Sequence, residues 1–272
     1  MRKIKNYLKK LYEIIMTPSM SYLPGNIAFF LVLSIFPILT LIGIIASKFS
    51  LDVNTLIDLI DISLPSKVSE ILATFIQGKG FDSNIFLFMT IGFFLASNGA
   101  DAIILASNNL YGFPNSDYLK RRIKAIFIII LIILLFIFML GFLAFGNHIL
   151  HIVLSLIKDQ SLVKLIYYIF IIIKWPFALF IIFFSVKLIY TITPDWKIMS
   201  KHTTKGAIFT TISWIIVMQI YSFWVNNLAN YDLFYGSISN IIILMLTTYL
   251  ISYILVIGIA INVKSYEYKV YD

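Results

Sequence analysis

The chain has no cysteine and very little charge. Without cysteine there is no disulfide, no thiol nucleophile and no Cys-ligated metal site. Only 12% of its 272 residues are Asp, Glu, Lys or Arg, about half the share found in soluble domains. So few charged side chains cannot cover a water-facing surface. With 60% hydrophobic residues and a mean hydropathy of +0.95, the composition points to an integral membrane protein. Acidic residues are the scarcer sign, 13 against 21 Lys and Arg. In a membrane protein that excess marks cytoplasmic loops rather than a nucleic-acid surface. Catalytic signals are also missing. His148 and His151, three apart, have no cysteine or close carboxylate to complete a metal site, and His202 stands alone. No phosphate-binding glycine loop, nucleophile elbow or metal-binding helix motif is present. The expectation is therefore no catalytic residue, no metal, no cofactor and no enzyme activity.

Apolar runs long enough to cross a bilayer, about 20 residues each, fall at 26–47, 85–110, 123–147, 163–190, 204–227 and 236–262. The predicted fold is all-α: a polytopic bundle of six transmembrane helices over 26–262. An even number puts both termini on one side. The N-terminal segment, the 111–124 and 187–205 connections and the C-terminal tail 263–272 hold 15 Lys and Arg; the opposite connections hold 5. Positive charge stays inside, so both ends are expected in the cytoplasm. Segment 1–25 reads as a cytoplasmic interfacial helix. Ile4, Leu8, Leu11 and Ile15 share one face, lysines lie between them, and Pro24-Gly25 breaks the chain before the first span. No short apolar region with a small-residue cleavage site follows the basic start, so no cleavable signal peptide is expected. Segment 48–84 reads as an external helical hairpin divided at Pro65, either resting on the outer leaflet or covering a cavity mouth.

The last run, "YDLFYGSISNIIILMLTTYLISYILVIGIAIN", carries Tyr235, Gly236 and Ser237 at its start and Gly258 and Asn262 at its end. It resembles the closing region of the YihY/BrkB family of bacterial inner-membrane proteins, which also bears the names ribonuclease BN-like and virulence factor BrkB. "LSIFPIL", "SNGADAIILASNNLYG", Pro194, Gly206-Ala207, Trp214 and Tyr221 extend the resemblance over nearly the whole chain. Ala260 stands where the family often has Glu, which puts any role of that carboxylate in doubt here. The resemblance implies six helices with both ends cytoplasmic. It implies no settled activity, although envelope lipid transport is among those suggested.

The costly residues are the polar ones inside apolar runs. Ser97, Asn98, Asp101, Asn108 and Asn109 fall on about a third of a helical wheel, with Ser107 pointing elsewhere. An ionised Asp at the bilayer centre costs about 2.5–3.5 kcal/mol. Asp101 is therefore either a helix-end cap or part of a polar cavity lining. Lys174 lies beside Pro176, which frees the carbonyl of Ile172 and bends the helix. Its ammonium can bind a lipid phosphate, meet Asp101 through water, or snorkel to the outer surface. Pro37 likewise frees the carbonyl of Leu33, with Ser34 near enough to help satisfy it. Asn240, Thr247 and Asn262 share an arc with Ser237, either as helix-packing contacts or as a cavity wall. The candidate cavity residues are thus Lys174, Asp101, Asn98, Asn108, Asn240 and Thr247, with Pro37 and Pro176 as kinks. The expected function is a transporter or flippase-like protein of the cell envelope for an amphipathic, anionic lipid; a scaffold for envelope-assembly proteins is the alternative. Expected partners are membrane lipids, with anionic headgroups at the cytoplasmic face, and no nucleic acid; homo-oligomerisation is left open.

Overall fold

A computed structural model describes residues 12–13, 16–48, 54, 57–58, 60–61, 64–76, 85–155, 160–227, 231 and 235–270, with some side chains within these stretches not described. Among them are helices α1 (Ser19–Lys48), α2 (Ser66–Ile76), α3 (Ile85–Tyr111), α4 (Tyr118–Ser155), α5 (Gln160–Ile192) and α6 (Ser200–Asn227). A short 3-10 turn, Gly236–Ile238, leads into α7 (Ser239–Val270), and no strand occurs among the described residues. The interfacial helix expected over 1–16 lies almost wholly outside the described residues.

The pattern of burial on α6 shows which solvent the helix expects. Its buried side is Thr203, Gly206, Ala207, Thr210 and Thr211, while Ile208, Ile212, Ile215, Ile216 and Ile220 are exposed. In water this would be inside out. In a membrane it is the expected arrangement, because lipid tails solvate isoleucine and small residues let helix backbones approach. Two buried threonines are satisfied within their own helices, Thr211 donating to the Ala207 carbonyl and Thr247, on α7, to that of Ile243. Among the described residues, Ser200–Asn227 and Ser239–Tyr266 are long and apolar enough to cross a membrane; Ser19–Ile35 and Pro176–Ile192 are shorter apolar stretches.

Helix α1 packs along α3 and α7, α4 joins α3 and α5, and α6 lies between α5 and α7. One core cluster gathers Met20, Leu23 and Ile27 with Ala102, Ile103 and Ala106, Val186 and Tyr190, Ala207, and Ile259 and Val263. The start of α1 and the last part of α7 thus share one end of the bundle.

That cluster explains two departures from expectation. Helix α1 runs through Pro24-Gly25 instead of breaking there. Pro24 forfeits one hydrogen bond near the helix start, but Met20, Leu23 and Ile27 on both sides of it are buried in the core, and that packing holds the helix. Helix α7 continues past residue 262 into the expected tail because Val263 belongs to the same core. Ser34 also differs: its hydroxyl donates to the carbonyl of Leu31 at 3.1 Å, not to that of Leu33. At the other end, Val68, Leu72 and Ile76 of α2 pack with Tyr221, Val225, Ile243 and Leu244. This part of the expected hairpin sits on the ends of α6 and α7. Beside it a shallow apolar groove of about 290 Å³ is lined by Val217, Ile220, Tyr221, Trp224 and Leu250.

Candidate functional site

The polar residues of α3 meet partners supplied by two connections. Helix α3 ends because Gly112 takes φ 69°, a left-handed turn that lets Phe113 N–H reach back to the Asn108 carbonyl at 2.9 Å. The chain then turns into α4, whose first residues carry Lys120, Arg121, Arg122 and Lys124. Being antiparallel and adjacent, α4 brings this basic run back alongside α3.

Arg121 Nε donates to Asp101 Oδ1 at 2.5 Å, and its Nη1 donates to the Ser116 carbonyl at 3.3 Å. Arg122 Nη1 donates to Asn98 Oδ1 at 2.5 Å and Nη2 to the Phe94 carbonyl at 3.4 Å; its guanidinium lies 3.9 Å from the centre of the Phe94 ring. The counter-ion of Asp101 is therefore a residue 20 positions further on. Asn109, which is exposed, reaches only Tyr22 Oη, and Ser97 bonds back to the Phe94 carbonyl.

Asp195, in the connection between α5 and α6, ties this end together. Its backbone N–H donates to Asn108 Oδ1 at 2.8 Å while Asn108 Nδ2 donates to Asp195 Oδ2 at 2.6 Å, a reciprocal pair. Ser116 N–H donates to the same carboxylate oxygen at 2.9 Å, and Asn108 Nδ2 also reaches Asn115 Oδ1. Lys124 directs all three N–H bonds into the knot: to Asp195 Oδ1 and to the carbonyls of Thr193 and Pro194, at 2.8–2.9 Å. Those carbonyls follow the end of α5 and have no next helical turn to bond, and an ammonium there also meets the negative end of the helix dipole. Burial alone would raise the Asp195 carboxyl, but the Ser116, Lys124 and Asn108 hydrogen bonds and the Lys124 charge outweigh it and bring the group down to about 2. It stays ionised and saturated, which suits a structural anion and not a general base. Over the knot, Phe113 stacks on Trp196 and meets Tyr266 edge-on, and Tyr266 meets His202.

The family-motif residues mark a second, drier contact. Gly206 N–H donates to Asn262 Oδ1 at 2.7 Å, and Tyr190 Oη bonds to Thr210 and to the Leu255 carbonyl beside Gly258. Trp214 Nε1 donates to the Ile251 carbonyl. Gly236 takes φ 53° at the turn before α7, Tyr235 is exposed, and Asn240 is half-buried. Pro176 lies within α5 with its ring exposed. The side chains of Lys174, Pro37, Ser237, His148 and His151 lie outside the described residues. The structure thus brings Asn98, Asp101 and Asn108 to one end of the bundle, with Thr247 and Asn240 elsewhere along α7. Sequence reasoning missed Arg121, Arg122, Lys124, Ser116 and Asp195. Four basic residues within five positions, and Asp195 directly after Pro194, were the signals present.

The family model described as "Virulence factor BrkB" matches residues 15–271. A ribonuclease-like protein, YfkH, of Bacillus subtilis is 27% identical over 271 residues, covering 97% of this chain and 96% of that one. A UPF0761 membrane protein of Alteromonas mediterranea is 33% identical over 70 residues, 26% of this chain and 24% of that one. No solved structure matches. With a match spanning nearly its whole length and a bundle whose apolar faces point outward, the chain is a helical membrane protein and belongs to the BrkB family.

Proposed function

We propose that this is a six-span protein of the bacterial cytoplasmic membrane, both termini cytoplasmic, that moves an amphipathic, anionic lipid without converting it chemically. Its partners are then membrane lipids, with anionic headgroups at the cytoplasmic face. The observation that supports it best is the pair of guanidinium groups drawn against α3, Arg121 on the Asp101 carboxylate and Arg122 on the Asn98 amide oxygen. They stand just before a stretch, 125–157, that has no Asp, Glu, Lys or Arg, so cationic donors lie where a headgroup would leave water. The test is reconstitution into liposomes with labelled phosphatidylglycerol or phosphatidylcholine, followed by quenching of the outer leaflet. Faster inward movement of the anionic lipid than in empty liposomes is expected; equal rates with and without protein overturn the proposal.

A scaffold is the second reading, favoured by the saturation of Asn108, Lys124 and Asp195 by one another, which makes this end a rigid platform with Trp196 and Met199 exposed. We assign no nuclease role, since the two partly buried carboxylates at this end are engaged, Asp101 by Arg121 and Asp195 by Lys124, Ser116 and Asn108.

The orientation has its own check. Ser66→Cys and Ser200→Cys place single thiols in a chain that has no other. In intact cells an impermeant maleimide should label position 66 and not position 200; equal labelling reverses or abolishes the assigned topology.

A further inference from the structure

Of the four cations that open α4, Lys120, Arg121, Arg122 and Lys124, Arg122 is the one without a carboxylate partner among the described residues. Asp101 is held by Arg121, Asp195 by Lys124, and Asp117 faces Lys120 at 3.8 Å. Arg122 is only 8% exposed, yet its acceptors are an amide oxygen, Asn98 Oδ1, and a backbone carbonyl, that of Phe94. A desolvated cation met only by neutral dipoles is costly unless an anion completes the site. Two bonds also leave unused donors among the five N–H groups of a guanidinium. The direction from which an anion can arrive is marked by the Phe94 ring, which carries the guanidinium at 3.9 Å and is 56% exposed on the lipid-facing side of α3.

We propose that Arg122, with Asn98 orienting it and the Phe94 ring beneath it, is a recessed site for a phosphate oxyanion presented from the bilayer side, that of a phospholipid headgroup. Arg122 lies three residues before the uncharged stretch of α4 begins, so the guanidinium sits at the boundary where lipid phosphates lie. The bidentate geometry of arginine suits a phosphodiester better than an ammonium would. This deepens the transport reading by naming a headgroup contact, but binding at Arg122 stands or falls independently of whether lipid is moved.

The test uses the full-length protein in detergent, with thermal stability and native mass spectrometry read after adding phosphatidylglycerol, phosphatidylcholine or inorganic phosphate. Arg122→Gln keeps a hydrogen-bond donor near Asn98 and removes the charge; Lys120→Gln removes an exposed charge from the same segment. Without lipid, Arg122→Gln should be at least as stable as wild type, because it removes an unpaired buried cation. With phosphatidylglycerol it should bind about tenfold more weakly, about 1.4 kcal/mol, while Lys120→Gln changes binding less than about twofold and Arg122→Lys retains part of it. An Arg122→Gln protein that is destabilised without lipid makes the residue structural and overturns the site. So does equal weakening by Lys120→Gln, which makes the attraction diffuse. Inorganic phosphate binding as well as the lipid assigns the site to a soluble phosphate and overturns the lipid source. If the Arg122→Gln protein binds normally, the site is wrong even where lipid movement is observed. If lipid movement is absent but binding depends on Arg122, the site stands and the transport reading fails.

Discussion

Gly206→Ala is expected to lower the thermal midpoint of the purified protein sharply, whereas Gly25→Ala is expected to raise it slightly. A Cβ at position 206 would lie 2.1 Å from the Gly258 carbonyl oxygen and 2.5 Å from the Asn262 amide. The first of these is backbone, so the clash cannot be relieved by turning a side chain; α6 and α7 must separate. Separation also stretches the bond from Gly206 N–H to Asn262 Oδ1, which is buried. Overpacking of this kind costs about 1–3 kcal/mol or more, and the lost buried hydrogen bond about 1–3 kcal/mol beyond that. At position 25, by contrast, nothing lies within 4 Å of the new methyl group, and a helical Gly→Ala change stabilises by about 0.4–1 kcal/mol. Thermal unfolding in detergent, followed by the loss of a size-exclusion peak, distinguishes the two. An undisturbed midpoint for Gly206→Ala would mean that α6 and α7 do not cross as closely as described.

Asp195→Ala is the second large effect. It removes three hydrogen bonds at once and leaves the Lys124 ammonium, 22% exposed, without its carboxylate. Removing one partner of a buried pair costs about 3–5 kcal/mol; with both groups partly reached by solvent, about 3 kcal/mol is expected, a fall of very roughly 10 °C in Tm. Asp195→Asn should cost less, since it keeps the acceptor for Ser116 N–H. The pH dependence has a definite sign. The carboxyl is lowered from 3.8 to about 2 in the folded protein, so its contribution is present above about pH 4 and is lost as pH falls from 4 towards 2. Wild type should therefore lose more stability than Asp195→Asn across that interval. Parallel curves would show that Asp195 does not hold the knot through its charge.

Much of this was legible in the sequence, and what was missed has a common cause. Helices were readable because long apolar runs leave the backbone no alternative in lipid. The polar face of α3 was readable from helical spacing alone. What that face binds was not. Arg121 and Asp195 lie 20 and 87 positions from Asp101 and Asn108 respectively, and no local period connects them. Where α3 ends was legible, with Gly112 followed by Pro114 just past the span, but how the chain turns at the left-handed Gly112, and so which residues of α4 and of the α5–α6 connection meet α3, was not. Pro24 misled for the opposite reason: local backbone preference was overridden by the burial of Met20, Leu23 and Ile27.

The span of the Asp195 knot also bears on how the chain is made. Asn108 and Lys124 leave the ribosome 87 and 71 residues before Asp195, several seconds earlier at about 5–20 residues per second. Through that interval α1, α3 and α4 are already available for insertion, while the ammonium of Lys124 has neither the carboxylate nor the carbonyls of Thr193 and Pro194. The basic start of α4 must wait for these partners until the connection after α5 has been made. Closure of the knot is then a late event of biogenesis, one that fastens helices made well before it.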